Sequence, residues 1–391
     1  MTIPSDFDEI RPYAPEELPG AFEKLIADEN FRHVVAGLFP DTPFEILAER
    51  LRQCQTNQQV QKVFFYPLLK KLVENATHGI TFDHSTIEKA GNKRYTFISN
   101  HRDIVLDSAF LSYLLIDAGF PCTVEIAIGD NLLITPWIKT LVRINKSFIV
   151  QRSLSMRQFL ESSMRMSNYM HFAINQKNEN IWIAQREGRA KDSNDRTQSS
   201  LIKMMVMGGE GSQKERLADL HIVPLSISYE YDPCDYLKAK EFQQKRDNQD
   251  FRKSPADDLL NMKQGIFGFK GHVHYCTGTC LDEWLKTLPD HLSKTDFFNA
   301  VSQRIDEGIH RNYRLYPGNY VAADLLENGK RFASRYTTDE RNTFEAYLTG
   351  QVGKIELPNK DEAYLRRQIL QMYANPLYNH MDSLENKDFR S

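Results

Sequence analysis

The chain has 391 residues, 41% hydrophobic and 26% charged, the balance of an ordinary soluble globular protein with enough length to bury a large core. A net charge of −3 and a pI near 6.4 supply no global attraction for nucleic acid, so no nucleic-acid partner is expected. The amino terminus shows no basic region followed by an apolar one, so no signal peptide is expected. No apolar run approaches about 18 residues, so any membrane association is expected to be peripheral, on the inner face of the cell membrane. The five cysteines are scattered without paired zinc spacing and read as reduced thiols of a cytoplasmic protein.

Residues 1–80 read as an N-terminal helical segment. Pro15-Glu-Glu-Leu opens a helix, Phe22, Leu25 and Ile26 recur at helical spacing, and Val60–Val73 is amphipathic. Short β-type runs follow at Ile80-Thr-Phe and Arg94–Ser99. From there helical and extended patterns alternate: Asp103–Ile116 helical, Cys122–Ile128 extended, Leu132–Ile144 helical, Ser147–Val150 extended and Leu154–Ile174 helical. Asn180–Ala184 is extended, Ser199–Met207 helical and His221–Tyr229 extended. Such alternation predicts an α/β fold in which a mostly parallel central sheet is flanked by helices, over residues 81–285. Residues 232–263 read as a polar insertion of helix and loop, and Gly271–Gly278 as a further strand at a sheet edge. From about residue 286 the chain returns to helix, with Phe297, Val301 and Ile305 on one face, to form a C-terminal helical segment over 286–391.

Three constellations carry chemistry. In Asn100-His101-Arg-Asp103-Ile-Val-Leu-Asp107 a histidine stands at a strand exit with two carboxylates near it. Histidine is suited to take a proton from an alcohol at neutral pH, and a carboxylate on its other ring nitrogen fixes the tautomer. Asp107 and Asp103 both remain candidates for that carboxylate. The bland alternative is a dipole-favoured acid at a helix start beside a polar strand end. His101-Arg102-Asp103 also spells a kinase tripeptide, but Ser108 stands where that motif needs Asn and no glycine-rich loop precedes it. A metallophosphoesterase reading fails for want of flanking metal ligands, and no metal is expected. The second constellation, Ile181–Lys191, runs an apolar strand into Arg186, Glu187, Gly188, Arg189 and Lys191. There the glycine lets backbone approach a ligand and the cations suit a phosphate. The third is an apolar strand ending in Arg152. It lies within Asn131–Leu160, a stretch with Lys139, Arg143, Lys146, Arg152 and Arg157 and no acid. Such a segment suits either an anionic membrane surface or an acidic acyl carrier, and equally a core helix with a basic rim.

Taken in order, these blocks resemble the glycerolipid acyltransferase family, which includes glycerol-3-phosphate and 1-acylglycerol-3-phosphate acyltransferases. The resemblance spans roughly residues 80–285 and rests on Asn100-His101 with Asp107, Phe148–Arg152, Glu187-Gly188-Arg189, and Ile222-Val223-Pro224. The family's spacing places its Asp where this chain has Leu106, so the carboxylate comes one residue late. The resemblance implies transfer of a fatty acyl group from acyl-CoA or acyl carrier protein to a hydroxyl of glycerol 3-phosphate or a lysophospholipid. His101, oriented by Asp107, would be the general base. Arg152, Arg189 and Lys191 would hold the acceptor phosphate in a pocket shaped by Glu187 and Gly188. No cofactor beyond the acyl thioester co-substrate is implied. Two other functions fit the same sequence: acylation of a non-phosphate lipid acceptor, and non-catalytic binding of a lipid or carrier on the same fold.

Overall fold

A computed structural model describes residues 3–40, 42–89, 91–133, 135–151 and 156–385. Its centre is a sheet of strands β1 (Ile80–Asp83), β2 (Thr96–Ser99), β3 (Val124–Gly129), β4 (Ser147–Val150), β5 (Asn180–Ala184), β6 (Ile222–Tyr229) and β7 (Val273–Thr277). They lie in the order β1-β7-β6-β2-β5-β3-β4. Neighbours run parallel except β6 and β7, which are antiparallel. Every residue of β2 and β6 is buried, as expected of central strands covered on both faces. β7 was expected at an edge, but β1 pairs on its outer side, from Ile80↔Val273 to Asp83↔Cys276. Pro224 is tolerated inside β6 because of where its missing N–H points. A residue's N and O face the same side of a strand, and Pro224 O accepts from Gly278 N (2.7 Å), just beyond the first β6–β7 pair, Leu225↔Thr277.

Helices α1 (Leu18–Ala27), α2 (Glu29–Leu38), α3 (Phe44–Arg52), α4 (Asn57–Val60) and α5 (Tyr66–Ala76) precede the sheet. Between strands come α6 (Leu106–Asp117), α7 (Pro136–Ile144), α8 (Met156–Asn175), α9 (Ser199–Met205), α10 (Gln213–Ala218), α11 (Asp235–Asp247) and α12 (Pro255–Phe267). The chain closes with α13 (Asp282–Thr287), α14 (Lys294–Arg311), α15 (Pro317–Leu326), α16 (Thr338–Gly353) and α17 (Glu362–Glu385). One face of the sheet is covered by α8, α9 and α14, with Tyr169, Ile202, Val301 and Ile305 against Ile98 and Ile183. The other is covered by α5 and α6, with Leu72, Phe110 and Leu111 against Phe97, Trp182 and Val223. None of the described helices is long and apolar enough to cross a membrane.

Two local expectations are corrected. α6 begins at Leu106 rather than Asp103, because Asp103 folds back to accept from the amides of Val105 (2.9 Å) and Leu106 (2.8 Å). α7 begins at Pro136, whose fixed φ suits the first helical turn; Asp130–Leu132 is a separate 3-10 turn. Part of the basic stretch around α7 packs inward, while Lys139 and Arg157 are exposed. Ile144 is buried with Leu25, Phe31 and Phe64 of the N-terminal helices, and Trp137 packs against them. Arg143 lies over the Tyr13 ring (4.2 Å), and buried Lys146 pairs with Glu179 (2.6 Å).

The insertion after β6 does not stay with the sheet. Ala239 of α11 shares a core with Phe344, Leu348, Tyr373 and Leu377 of the C-terminal helices.

Candidate active site

The C-terminal ends of β2, β5 and β6 meet on one edge of the sheet, where loops leaving parallel strands form ligand crevices. The loop after β2 is anchored first. Asn100 is fully buried, and its side chain donates to Ile227 O (2.9 Å) and accepts from Ile227 N (2.8 Å). The amide thus takes the place of a further β2 residue in the ladder with β6. This fixes the residue that follows, His101.

His101 Nδ1 lies 2.8 Å from Asp107 Oδ2. The same oxygen accepts from the amides of Arg102 (2.7 Å) and Asp103 (3.0 Å). Asp107 Oδ1 accepts from the Tyr229 hydroxyl (3.2 Å), and its carbonyl from the Tyr275 hydroxyl (3.0 Å). These donors compensate the burial of Asp107, whose side chain is 1% exposed against 12% for His101. With the carboxylate bonded at Nδ1, that nitrogen carries the proton and Nε2 is left with a free lone pair. The imidazole edge rests on Trp182, ring centroids 5.8 Å apart, and the indole donates to Ser99 Oγ (3.0 Å).

The two carboxylates therefore divide their tasks. Asp107 orients His101, while Asp103 caps the start of α6. Burial pushes the Asp103 carboxyl above its ordinary range, and the neighbouring Asp107 charge adds to that. The one-residue shift of the aspartate is absorbed by the loop before Leu106, so Asp107 enters from the first turn of α6.

Arg102 points away from this pair into the protein. Its guanidinium bridges both oxygens of Asp195 (2.7 and 3.3 Å), and Asp195 also accepts from the Tyr313 hydroxyl (2.5 Å). The ring of Tyr313 sits 5.7 Å from the guanidinium carbon. Asp195 belongs to the loop after β5 and Tyr313 follows α14, so one buried ion pair ties together the His101 loop, the Gly188 loop and the C-terminal segment.

In the loop after β5, Glu187 is exposed and its amide donates to Gln198 Oε1 (2.8 Å). Gly188 adopts φ +68, a conformation that favours glycine. Arg189 Nη2 donates to Asn261 Oδ1 of α12 (3.0 Å), while its Nη1 is buried with no hydrogen-bond partner among the described residues. The Lys191 ammonium is bonded to Glu241 of α11. Arg152 lies outside the described residues.

The sequence did not signal Asn100 as an anchor, the Arg102–Asp195–Tyr313 link, or the approach of Glu241 and Asn261. Each joins residues far apart in the chain through loops that carry no periodicity. Among the described residues, two groups could hold a metal ion: His78, Glu230 and His272, and His221, Cys280 and Asp282. Neither contains His101.

A strand-end histidine held by a buried aspartate has the geometry to accept a proton at Nε2, and the loop after β5 adds a glycine turn and Arg189 on the same sheet edge. A family model described as Acyltransferase matches residues 72–228, the span that holds His101, Asp107 and the loop from Glu187 to Lys191. The matched segment also contains the four sequence blocks that carry the resemblance, from Asn100-His101 to Ile222-Val223-Pro224. Among solved structures, the chain is similar to the 1-acyl-sn-glycerophosphate (LPA) acyltransferase PlsC from Thermotoga maritima. The identity is 12% and the TM-score 0.35, over 75% of this chain and 97% of that one. No curated protein matches the chain.

Proposed function

We propose that the protein is an O-acyltransferase of phospholipid synthesis. It moves a fatty acyl group from an acyl thioester, acyl-CoA or acyl carrier protein, to a hydroxyl of glycerol 3-phosphate or 1-acylglycerol 3-phosphate. The observation that carries this reading is the 2.8 Å bond between His101 Nδ1 and Asp107 Oδ2, inside the segment matched by the family. His101 Nε2 takes the proton of the acceptor hydroxyl as its oxygen attacks the thioester carbonyl. The C–O bond forms, the C–S bond breaks, and the departing thiolate recovers the proton from the imidazolium. Asp107 holds the ring and stabilises the charge that develops on it. No acyl-enzyme is required, and holding both substrates in one crevice supplies rate through proximity.

The acceptor phosphate is assigned to Arg189 and the turn at Gly188, with Glu187 at the rim. Arg152 belongs to the same assignment through the family pattern. Lys191, already neutralised by Glu241, is assigned instead to hold α11 over the loop. The partners of the reaction are thus the thioester donor, the glycerol phosphate or lysophospholipid, and the membrane surface that supplies or receives lipid.

Thiol release by the purified protein tests this reading across acyl-CoA and acyl carrier protein donors, with glycerol 3-phosphate, lysophosphatidate, monoacylglycerol and acylated amino acids as acceptors. Release that depends on a phosphate-bearing acceptor is expected. Release that depends only on a neutral or amino-acid acceptor would replace the acceptor assignment. No release with any pair would remove the enzymatic reading.

A further inference from the structure

α12 is built unlike the other long helices. Its buried residues are Asn261 and Gly265, both polar or small, while Leu259, Leu260 and Phe267 are exposed at 57%, 46% and 52%. Helices in globular proteins are ordinarily held by a buried apolar stripe; α12 instead turns its apolar side outward and a polar side to the site. Asn261 and Gly265 are one turn apart on that inner side. Asn261 Oδ1 accepts from Arg189 (3.0 Å), and its Nδ2 donates to Asp257 O (2.8 Å), which fixes the orientation of the amide. Gly265 lies directly against Asp103, where a Cβ would fall 2.0 Å from Oδ2. Beyond its end, buried Lys270 donates to Ile266 O (3.2 Å) and Gly268 O (2.7 Å), capping the last turn. α12 thus spans from the loop that carries His101 to the loop that carries Arg189.

Beneath it, Arg189 Nη1 is enclosed without an acceptor. A sealed, unpaired guanidinium N–H is costly, and such costs are tolerated where a ligand supplies the missing oxygen. Solvent does not reach this nitrogen in the closed arrangement, and Asn261 of α12 holds the other terminal nitrogen of the same guanidinium, so movement of α12 would open a way to it. Of its apolar residues, half-buried Ile266 packs against the sheet core while Leu259, Leu260 and Phe267 lie exposed, so few buried apolar contacts oppose that movement.

We propose that α12 is a movable roof over the acceptor subsite. It lifts to admit a phosphate monoester to Arg189 Nη1 and closes with Asn261 orienting the guanidinium. Asn261 is a positioning residue that acts through Arg189. This rests on the acceptor reading above and adds to it the element that gates and selects the acceptor.

Two measurements on the full chain test it. Hydrogen exchange of residues 255–267 should be faster than that of α14 and should slow when glycerol 3-phosphate or lysophosphatidate is added, but not in Asn261→Ala. In steady-state kinetics, loss of a bond to a charged group predicts a rise of about tenfold in KM for the phosphate acceptor in Asn261→Ala. KM for the acyl donor and KM for monoacylglycerol should remain unchanged, and Asn261→Gln should recover part of the loss. Unchanged acceptor KM in Asn261→Ala, or α12 exchange insensitive to an acceptor that is turned over, would overturn the roof while leaving the acceptor reading intact. If no phosphate acceptor is turned over, the acceptor reading fails. Calorimetric titration with inorganic phosphate then decides the roof: binding lost in Asn261→Ala upholds it, and binding absent or equal in both proteins overturns it.

Discussion

The helices at the two ends of the chain serve the sheet in opposite ways. The N-terminal helices are joined to α7 through apolar side chains: Leu25, Phe31, Val35 and Phe64 meet Ile144 in a core that contains none of the proposed site residues. The C-terminal helices, with the insertion helices α11 and α12, instead bring polar groups to the site edge. Tyr313 bonds to Asp195, Glu241 to Lys191 and Asn261 to Arg189. In the sequence, residues 1–80 and 286–391 read alike as helical segments, and 232–263 as a polar insertion. Their difference lies in what the helices bury: apolar surface stabilises without regard to the site, whereas a buried ion or hydrogen bond has a direction and fixes one loop against another.

The largest effect should come from Arg102→Met. It leaves Asp195 buried without its counter-charge, and breaking such a pair costs about 3–5 kcal/mol. Urea unfolding should show that loss, together with reduced turnover per folded molecule; a loss under about 1 kcal/mol would mean the link between loops is dispensable. His310 supplies a pH-dependent test on the same side of the molecule. It is buried, and burial first and the Arg196 charge second lower its pKa to about 3, while its Nε2 donates to Asp195 O (2.9 Å). A folded-state pKa below the ordinary value of about 6.5 means that the unfolded chain binds the proton more readily. The stabilisation is full above about pH 6.5 and is lost as pH falls toward 3, amounting to about 2 kcal/mol of lost stability by pH 5. His310→Gln should flatten that acid limb, and an equal slope in both proteins would contradict the assignment. The smallest effect is expected on the N-terminal side, where Ile26→Val should cost about 1 kcal/mol and leave kcat unchanged. A fall in kcat there would erase the contrast between the two regions.

How much the sequence disclosed follows from where the constraints are local. β4 and β5 were read at their observed limits, because strands buried on both faces appear as short continuous apolar runs. The His101 and Glu187–Lys191 loops were legible because strand ends carrying reactive or charged residues stand out against those runs. The choice between Asp103 and Asp107 was not, since it depends on a loop that turns four amides toward the two carboxylates within a few residues. The place of β7 inside the sheet was hidden because β1, which covers its outer side, lies almost 200 residues earlier, as in the pair Ile80↔Val273. The partners of Arg189 and Lys191 were hidden for the same reason: Asn261 and Glu241 reach them from helices whose sequence reads only as a polar insertion.

The central claim is that His101 is the base that releases thiol from an acyl thioester. Thiol release by His101→Ala, measured beside wild type with circular dichroism and melting temperature as controls for folding, tests it most directly. A fall of about 10²- to 10⁴-fold in kcat with an unchanged melting profile is the predicted result. Turnover retained by a folded His101→Ala protein would contradict it.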